Sequence, residues 1–254
     1  MSKPAFGDLV EKIRPYMPNG TSPKARSDSV SVEVSLSVTL RYLAGGSYLD
    51  ICDIHHITEP TFFRVKSRTL VALDFALQDE IRFPSTEDER RDTASGFEVK
   101  TGGVMKGCLG ALDGLAVKIK EPSLFDCPNP TSYRNRKGFF AVLVQAICDS
   151  KRLFTFASVE CQGSCHDSTA FDATSFSRCI QSLVPFGYWI AADDAYACSE
   201  QVITPFSGSH SRDSEEDAFN YWHSSAQRIN IEYECEMCNV LFNNWRLTLC
   251  LLVL

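Results

Sequence analysis

Three places in this 254-residue chain carry acids where an acid is costly or where its spacing implies a shared task. Asp113 interrupts the apolar run CLGALDGLAVKIK. An ionised carboxylate in such surroundings is expensive unless a cation pairs with it. Asp193 and Asp194 close a second apolar run, GYWIAADDAY, where adjacent carboxylates repel without a metal or a base nearby. Glu232 falls within WHSSAQRINIEYECEMCNVLFNNW, which reads as a helix opened by Ser224 or Ser225, with Arg228 four residues before it and Glu236 four after. Each has a plainer reading: a strand-end or turn-forming Asp, or a solvated ion pair on a helix face. Taken together, an acid on a first strand, another on a fourth strand and a third on the following helix form the donor set of a hard divalent cation. Carboxylate oxygens suit Mg²⁺ or Mn²⁺, which keep waters and accept phosphate oxygens as further ligands. Two such ions about 4 Å apart can activate a water or a 3′-hydroxyl and stabilise the leaving oxygen of a phosphodiester.

Other groups could serve the same chemistry. In GSCHDSTAF, Asp167 is a candidate outer metal ligand and His166 a candidate phosphate contact; the plainer reading is that Asp167 or Ser168 caps the next helix. The string Tyr133, Arg134, Arg136 and Lys137, with Lys118 and Lys120, is a local positive region suited to a DNA backbone or to neutralising Glu121 and Asp126. The spacings Cys161-x3-Cys165-His166 and Cys235-x2-Cys238 raise a rival zinc site.

These side chains need elements to hold them. Pro4, Pro15, Pro18 and Pro23 within residues 1–30 predict a flexible leader. Residues 31–80 read as short helices in a helix-turn-helix-like region. Gly45 and Gly46 end the first helix, Ser47 caps the second, and Thr58, Glu59 and Pro60 open the third. Arg64, Lys66 and Arg68 on that last helix are candidate DNA contacts, against the alternative of a helical bundle with solvated charges. Residues 81–104 are polar, with a charge run at 87–92, and predict a linker. From Met105 the order becomes β, β, β, α, β, then a loop containing the acidic string DSEED (213–217), expected as a solvated insertion, and a final α. This is a mixed α/β domain over 105–254.

Composition narrows the functional classes. With 44% hydrophobic residues and a net charge of −7, the chain is neither disordered nor a generally basic nucleic-acid coat. Any DNA contact must be local. Its 11 cysteines and polar start, MSKPAFGDLVEKIRP, predict a reducing, intracellular protein without a secretion signal. The apolar run Leu247–Leu254 is far below the roughly 20 residues that cross a bilayer, so no membrane span is expected.

The strings LRYLAGGSYLDI, GALDG, YRNRKGFFAVLVQAICD, GSCHDSTAF, WIAADDAY and DAFNYWHSSAQRINIE occur in this order over about residues 33 to 246. In them the chain resembles the transposases of the PIF/Harbinger group and the nucleases derived from them. The resemblance implies a ribonuclease H-like mixed sheet flanked by helices and an Asp, Asp, Glu triad. It points to Asp113, to Asp193 because Tyr196 follows at +3, and to Glu232, with Glu234 and Glu236 as alternatives because YECEMCNVLFNNW departs from the family pattern. It also implies a metal-dependent DNA endonuclease or transposase using Mg²⁺ or Mn²⁺. A separate Myb-like DNA-binding partner and a nuclear location, with the cytoplasm as alternative, come with it, and a homo-oligomer is left open. Relatives continue with further helix beyond the position of Trp245, so the domain is read as truncated at its C-terminus. The alternative function is a catalytically inactive descendant kept for DNA binding or as an adaptor.

Overall fold

A computed structural model describes residues 1–17, 30–77, 79–125, 127–208 and 214–227. They fall into two compact units, one spanning Met1–Glu80 and the other beginning at Ile81.

The first unit is helical. Helix α1 (Lys3–Ile13) occupies over a third of the expected leader. Proline did not prevent it, because Pro4 lies in the first turn, where no backbone N–H is needed, and the Ser2 side chain accepts from Ala5 N. Val10 and Ile13 are buried with Leu36, Ala72 and Leu73, so the segment is anchored by core contacts that the proline count did not reveal. Helix α2 (Val32–Leu43) is capped by Ser31, α3 (Tyr48–His55) follows Ser47, and α4 (Glu59–Leu77) is the longest element. His56 makes the turn from α3 to α4 with φ of 51°, a left-handed helix end more often filled by glycine. Phe62 of α4 is fully buried beside Val38 and Ile51. Burying such a side chain contributes roughly 1.5–3 kcal/mol, so these contacts rather than exposed pairs such as Arg14–Glu33 hold the helices.

The second unit begins with a correction. The expected linker carries helix α5 (Glu87–Lys100), opened by a capping box in which Thr86 Oγ1 accepts from Glu89 N and the Glu89 carboxylate accepts from Thr86 N. The charge run is thus the acidic first turn of a helix, where its carboxylates face unpaired N–H groups. Ala94 and Phe97 bury the other side of the helix.

Among the described residues five strands follow: β1 (Cys108–Lys118), β2 (Ala141–Cys148), β3 (Phe154–Gln162), β4 (Trp189–Ala192) and the two-residue β5 (Val202–Ile203). Their spatial order is β3-β2-β1-β4-β5, with β1, β2 and β3 antiparallel and β4 parallel to both β1 and β5. This is the flanked mixed sheet of a ribonuclease H-like fold. The helix expected after β3 is broken into α6 (Asp167–Asp172), α7 (Ser175–Arg178) and α8 (Ile180–Leu183), because the Thr174 hydroxyl accepts from Ser177 N and restarts the chain as a new helix. Helix α9 (Glu215–Gln227) starts nine residues before the predicted Ser224 opening. Ser214 caps it by accepting from Asp217 N, so Glu215, Glu216 and Asp217 form a first helical turn rather than an insertion.

Candidate active site

The parallel pairing of β1 and β4 aligns Ala111 with Ala191 and Leu112 with Ala192. Asp113 and Asp193 are the next residue on each strand, so the sheet delivers two carboxylates to adjacent positions where β4 ends. Ligands of open α/β sheets bind outside the carboxyl ends of parallel strands. Leu112 packs into the main core, so strand alternation turns Asp113 to the opposite face of β1. Trp189 likewise alternates with core-facing Ile190, and its ring packs 6.2 Å from Phe219 of α9. Glu232 follows the end of α9 by five residues in the sequence. Glu232, Glu234 and Glu236 lie outside the described residues.

Of the two acids after β4, Asp193 is half-buried and Asp194 exposed. Asp193 Oδ1 accepts from Ala195 N at 3.0 Å, a tight turn that returns buried Tyr196 to the core. Burial first, and then the charges of Asp167 and Asp194, push the Asp193 carboxyl above its ordinary value. The Ala195 N–H and Arg136 oppose this. Asp113 Oδ1 accepts from Gly114 N at 2.7 Å.

Asp167 does not cap α6. His166 holds the cap position through its backbone, and no side chain caps that end. Instead Asp167 reaches over β1: a Cβ on Gly114 would collide with its Oδ1 and would approach Nε2 of Gln145 to 3.1 Å. Its Oδ2 lies 3.9 Å from the Arg136 guanidinium, which is itself largely exposed. Gln145 is almost fully buried in β2, and its Oε1 accepts from the Tyr196 hydroxyl at 2.7 Å. Sequence reasoning used Tyr196 only as a spacing marker and passed over Gln145. The available signal was one amide within the otherwise apolar run AVLVQAIC.

Among the described residues no three His, Cys, Asp or Glu side chains converge closely enough to hold a metal ion. The donors present still fit a hard cation as two members of its set. Asp113 and Asp193 offer carboxylate oxygens, the donor type such an ion takes, at adjacent positions on neighbouring strands. In the rival zinc set, Cys235 and Cys238 lie outside the described residues.

The basic candidates divide. Arg134, Arg136 and Lys137 are exposed on the loop joining β1 and β2, as are Arg64 and Arg68 on α4. Lys66 is not exposed. It is 3% accessible, with its ammonium 5.0 Å from the centre of the Tyr42 ring and 5.3 Å from that of Phe63, so the expectation of a phosphate contact there is corrected.

Residues 112–241 match the family described as DDE superfamily endonuclease. The chain belongs to this family. The matched span contains Asp113, Asp193 and Glu232. Among curated proteins, the chain is 26% identical over 184 residues to one from Rattus norvegicus named "Putative nuclease HARBI1", and 24% identical over 184 residues to its namesake from Xenopus laevis. In both cases the alignment covers 72% of this DDE endonuclease chain and 51% of the relative, so the chain spans about half the length of the curated relatives it matches. No solved structure matches.

Proposed function

We propose that the chain is a metal-dependent DNA endonuclease of the transposase type, with Asp113, Asp193 and Glu232 as catalytic carboxylates and Asp167 as an accessory one. The observation that supports this reading is the β1–β4 register, whose last pair, Leu112 with Ala192, immediately precedes Asp113 and Asp193. A divalent cation bound there, Mg²⁺ or Mn²⁺, would supply Lewis acidity at a phosphodiester. The protein's own part is positional. Asp113 from within β1 and Asp193 from just past the end of β4 would hold the cation, and the Ala195 N–H fixes the Asp193 carboxylate. Arg136, beside Asp167 and within reach of Asp193, would meet the scissile phosphate, while Arg134 and Lys137 on the same loop would follow the backbone. The bond that breaks is P–O3′. The attacking water's oxygen would bond to phosphorus and lose a proton to solvent, while the leaving O3′ would take a proton from solvent, giving a 3′-hydroxyl and a 5′-phosphate. Arg64 and Arg68 would give the helical unit its own contact with DNA. A Myb-like partner, self-association and a nuclear site of action belong to the same reading and rest on the family resemblance.

The test is nicking of supercoiled plasmid by the purified chain in Mg²⁺, Mn²⁺ or EDTA. Cleavage should require the metal and should fall about 10³-fold in folded Asp113→Ala and Asp193→Ala, as expected when several kcal/mol of transition-state stabilisation is lost. Glu232→Ala beside Glu234→Ala and Glu236→Ala identifies the third ligand. A folded wild type that binds DNA but neither cuts it nor binds Mn²⁺ would replace this reading with the inactive DNA-binding or adaptor one.

A further inference from the structure

Gln145 presents an unusual account of its hydrogen bonds. Its Oε1 is used by Tyr196, which fixes the orientation of the amide, yet its Nε2 is fully buried and finds no acceptor among the described residues. A buried donor left without a partner is costly, and such groups mark places where a further polar atom belongs. The neighbourhood is specific. Gly114, which pairs with Gln145 across β1 and β2, lacks the Cβ that would otherwise strike Asp167 Oδ1 and press on Gln145 Nε2. The missing side chain thus lets the amide and the carboxylate share one spot on the sheet. The Tyr196 hydroxyl on the other side of the amide lies within the field of Asp113, Asp167 and Asp193.

We propose that Gln145 and Tyr196 are positioning residues of the carboxylate site: Tyr196 aligns the amide, and Gln145 Nε2 donates, directly or across one water, to Asp167, holding that carboxylate beside Asp193. The inference rests on the nuclease reading and adds to it two residues that never touch the scissile bond. Neutral outer partners of this kind typically change metal affinity 10–100-fold when removed, because the inner carboxylate loses its direction. The arrangement also accounts for Gly114 in the middle of a strand, where a β-branched residue would otherwise pack better.

The test uses the full chain and Mn²⁺ as probe, with free ion followed by its electron paramagnetic resonance signal and unfolding followed separately in EDTA. Gln145→Met should weaken Mn²⁺ binding about 10-fold. Its melting temperature in EDTA reads the separate cost of removing the acceptor of the buried Tyr196 hydroxyl. Tyr196→Phe should weaken binding by a smaller factor. In an Asp167→Asn background, Gln145→Met should add nothing, because the amide acts through that carboxylate. The proposal is overturned if folded Gln145→Met binds Mn²⁺ as tightly as the wild type, or loses the same factor with and without Asp167. A lower melting temperature in EDTA with unchanged affinity would also overturn it, by showing a purely structural role. Should Gln145→Met fail to fold, Tyr196→Phe run through the same cycle with Asp167→Asn decides. Asp113→Asn separates the two claims. If wild-type binding does not depend on Asp113, the nuclease reading falls and takes this one with it; if Asp113→Asn abolishes binding while Gln145→Met does not change it, only the positioning role falls.

Discussion

At Lys66 an ammonium group is enclosed by aromatic rings, and burial lowers its pKa from the ordinary 10.5. Below that lowered value both folded and unfolded chains are protonated there, and the folded one bears the full desolvation cost. As pH rises from the lowered value towards the ordinary one, the folded state holds fewer protons than the unfolded state and the cost disappears. Lys66→Met, which keeps the apolar stem, is therefore expected to raise the melting temperature of the helical unit by a few degrees at pH 7. The gain should shrink towards pH 10, and DNA affinity should be unchanged; thermal scans across pH, beside a binding isotherm, check all three. The site acids were legible because a carboxylate in an apolar run stands out. Lys66 misled because one Lys among Arg64 and Arg68 looks like a basic stripe until the 3.6-residue period is followed: positions 62, 65, 66, 69 and 70 are buried, and 64, 67 and 68 are not. Gln145 was hidden by its surroundings, since a lone amide in a strand announces a hydrogen bond without naming the partner.

At the scale of elements, the helix that leads towards Glu232 is fastened by a titratable group. His223 of α9 is fully buried and its Nε2 donates to the Ile203 carbonyl of β5 at 3.0 Å, while Nδ1 has no partner. Burial lowers its pKa below the ordinary 6.5. The neutral ring thus contributes stability that is present above about pH 6.5 and is lost as pH falls from there through the lowered folded value, because the unfolded chain takes up the proton first. Amide hydrogen exchange should show α9 opening more readily at pH 5 than at pH 7. His223→Gln should flatten that difference; an equal pH effect in the variant would refute it. The strands were legible from apolar periodicity, as were the starts of α3 and α4 from Ser47 and Pro60. Helix α5 was not, because its first turn is nearly all charge, and charge reads as linker unless Thr86 and Glu89 are recognised as a reciprocal cap. The same blindness hid the start of α9 within DSEED.

At the scale of the whole molecule, the proposed DNA contacts and the proposed cation site fall on different units. Arg64 and Arg68 belong to the helical unit and the carboxylates to the sheet unit. Arg64→Ala with Arg68→Ala should reduce the slope of log affinity against log salt by roughly 2, about 0.9 for each phosphate no longer neutralised, while Mn²⁺ binding stays as in the wild type. Salt-dependent titration with a short duplex reads this. The sheet also has a history written into its order. Strands β2 and β3 are joined by the five residues 149–153, whereas Asp113 and Asp193 stand 80 residues apart along the chain. Closing the longer loop costs about 2 kcal/mol more in chain entropy by length alone. The local hairpin can form on its own, but the parallel contact between β1 and β4 must wait for α6, α7 and α8 to span the gap. During synthesis the ribosome releases Asp113 long before its partner, so the chain carries no paired carboxylates until the sheet is nearly finished. A chain released only as far as β3 holds Asp113 without Asp193 and so lacks the proposed cation site.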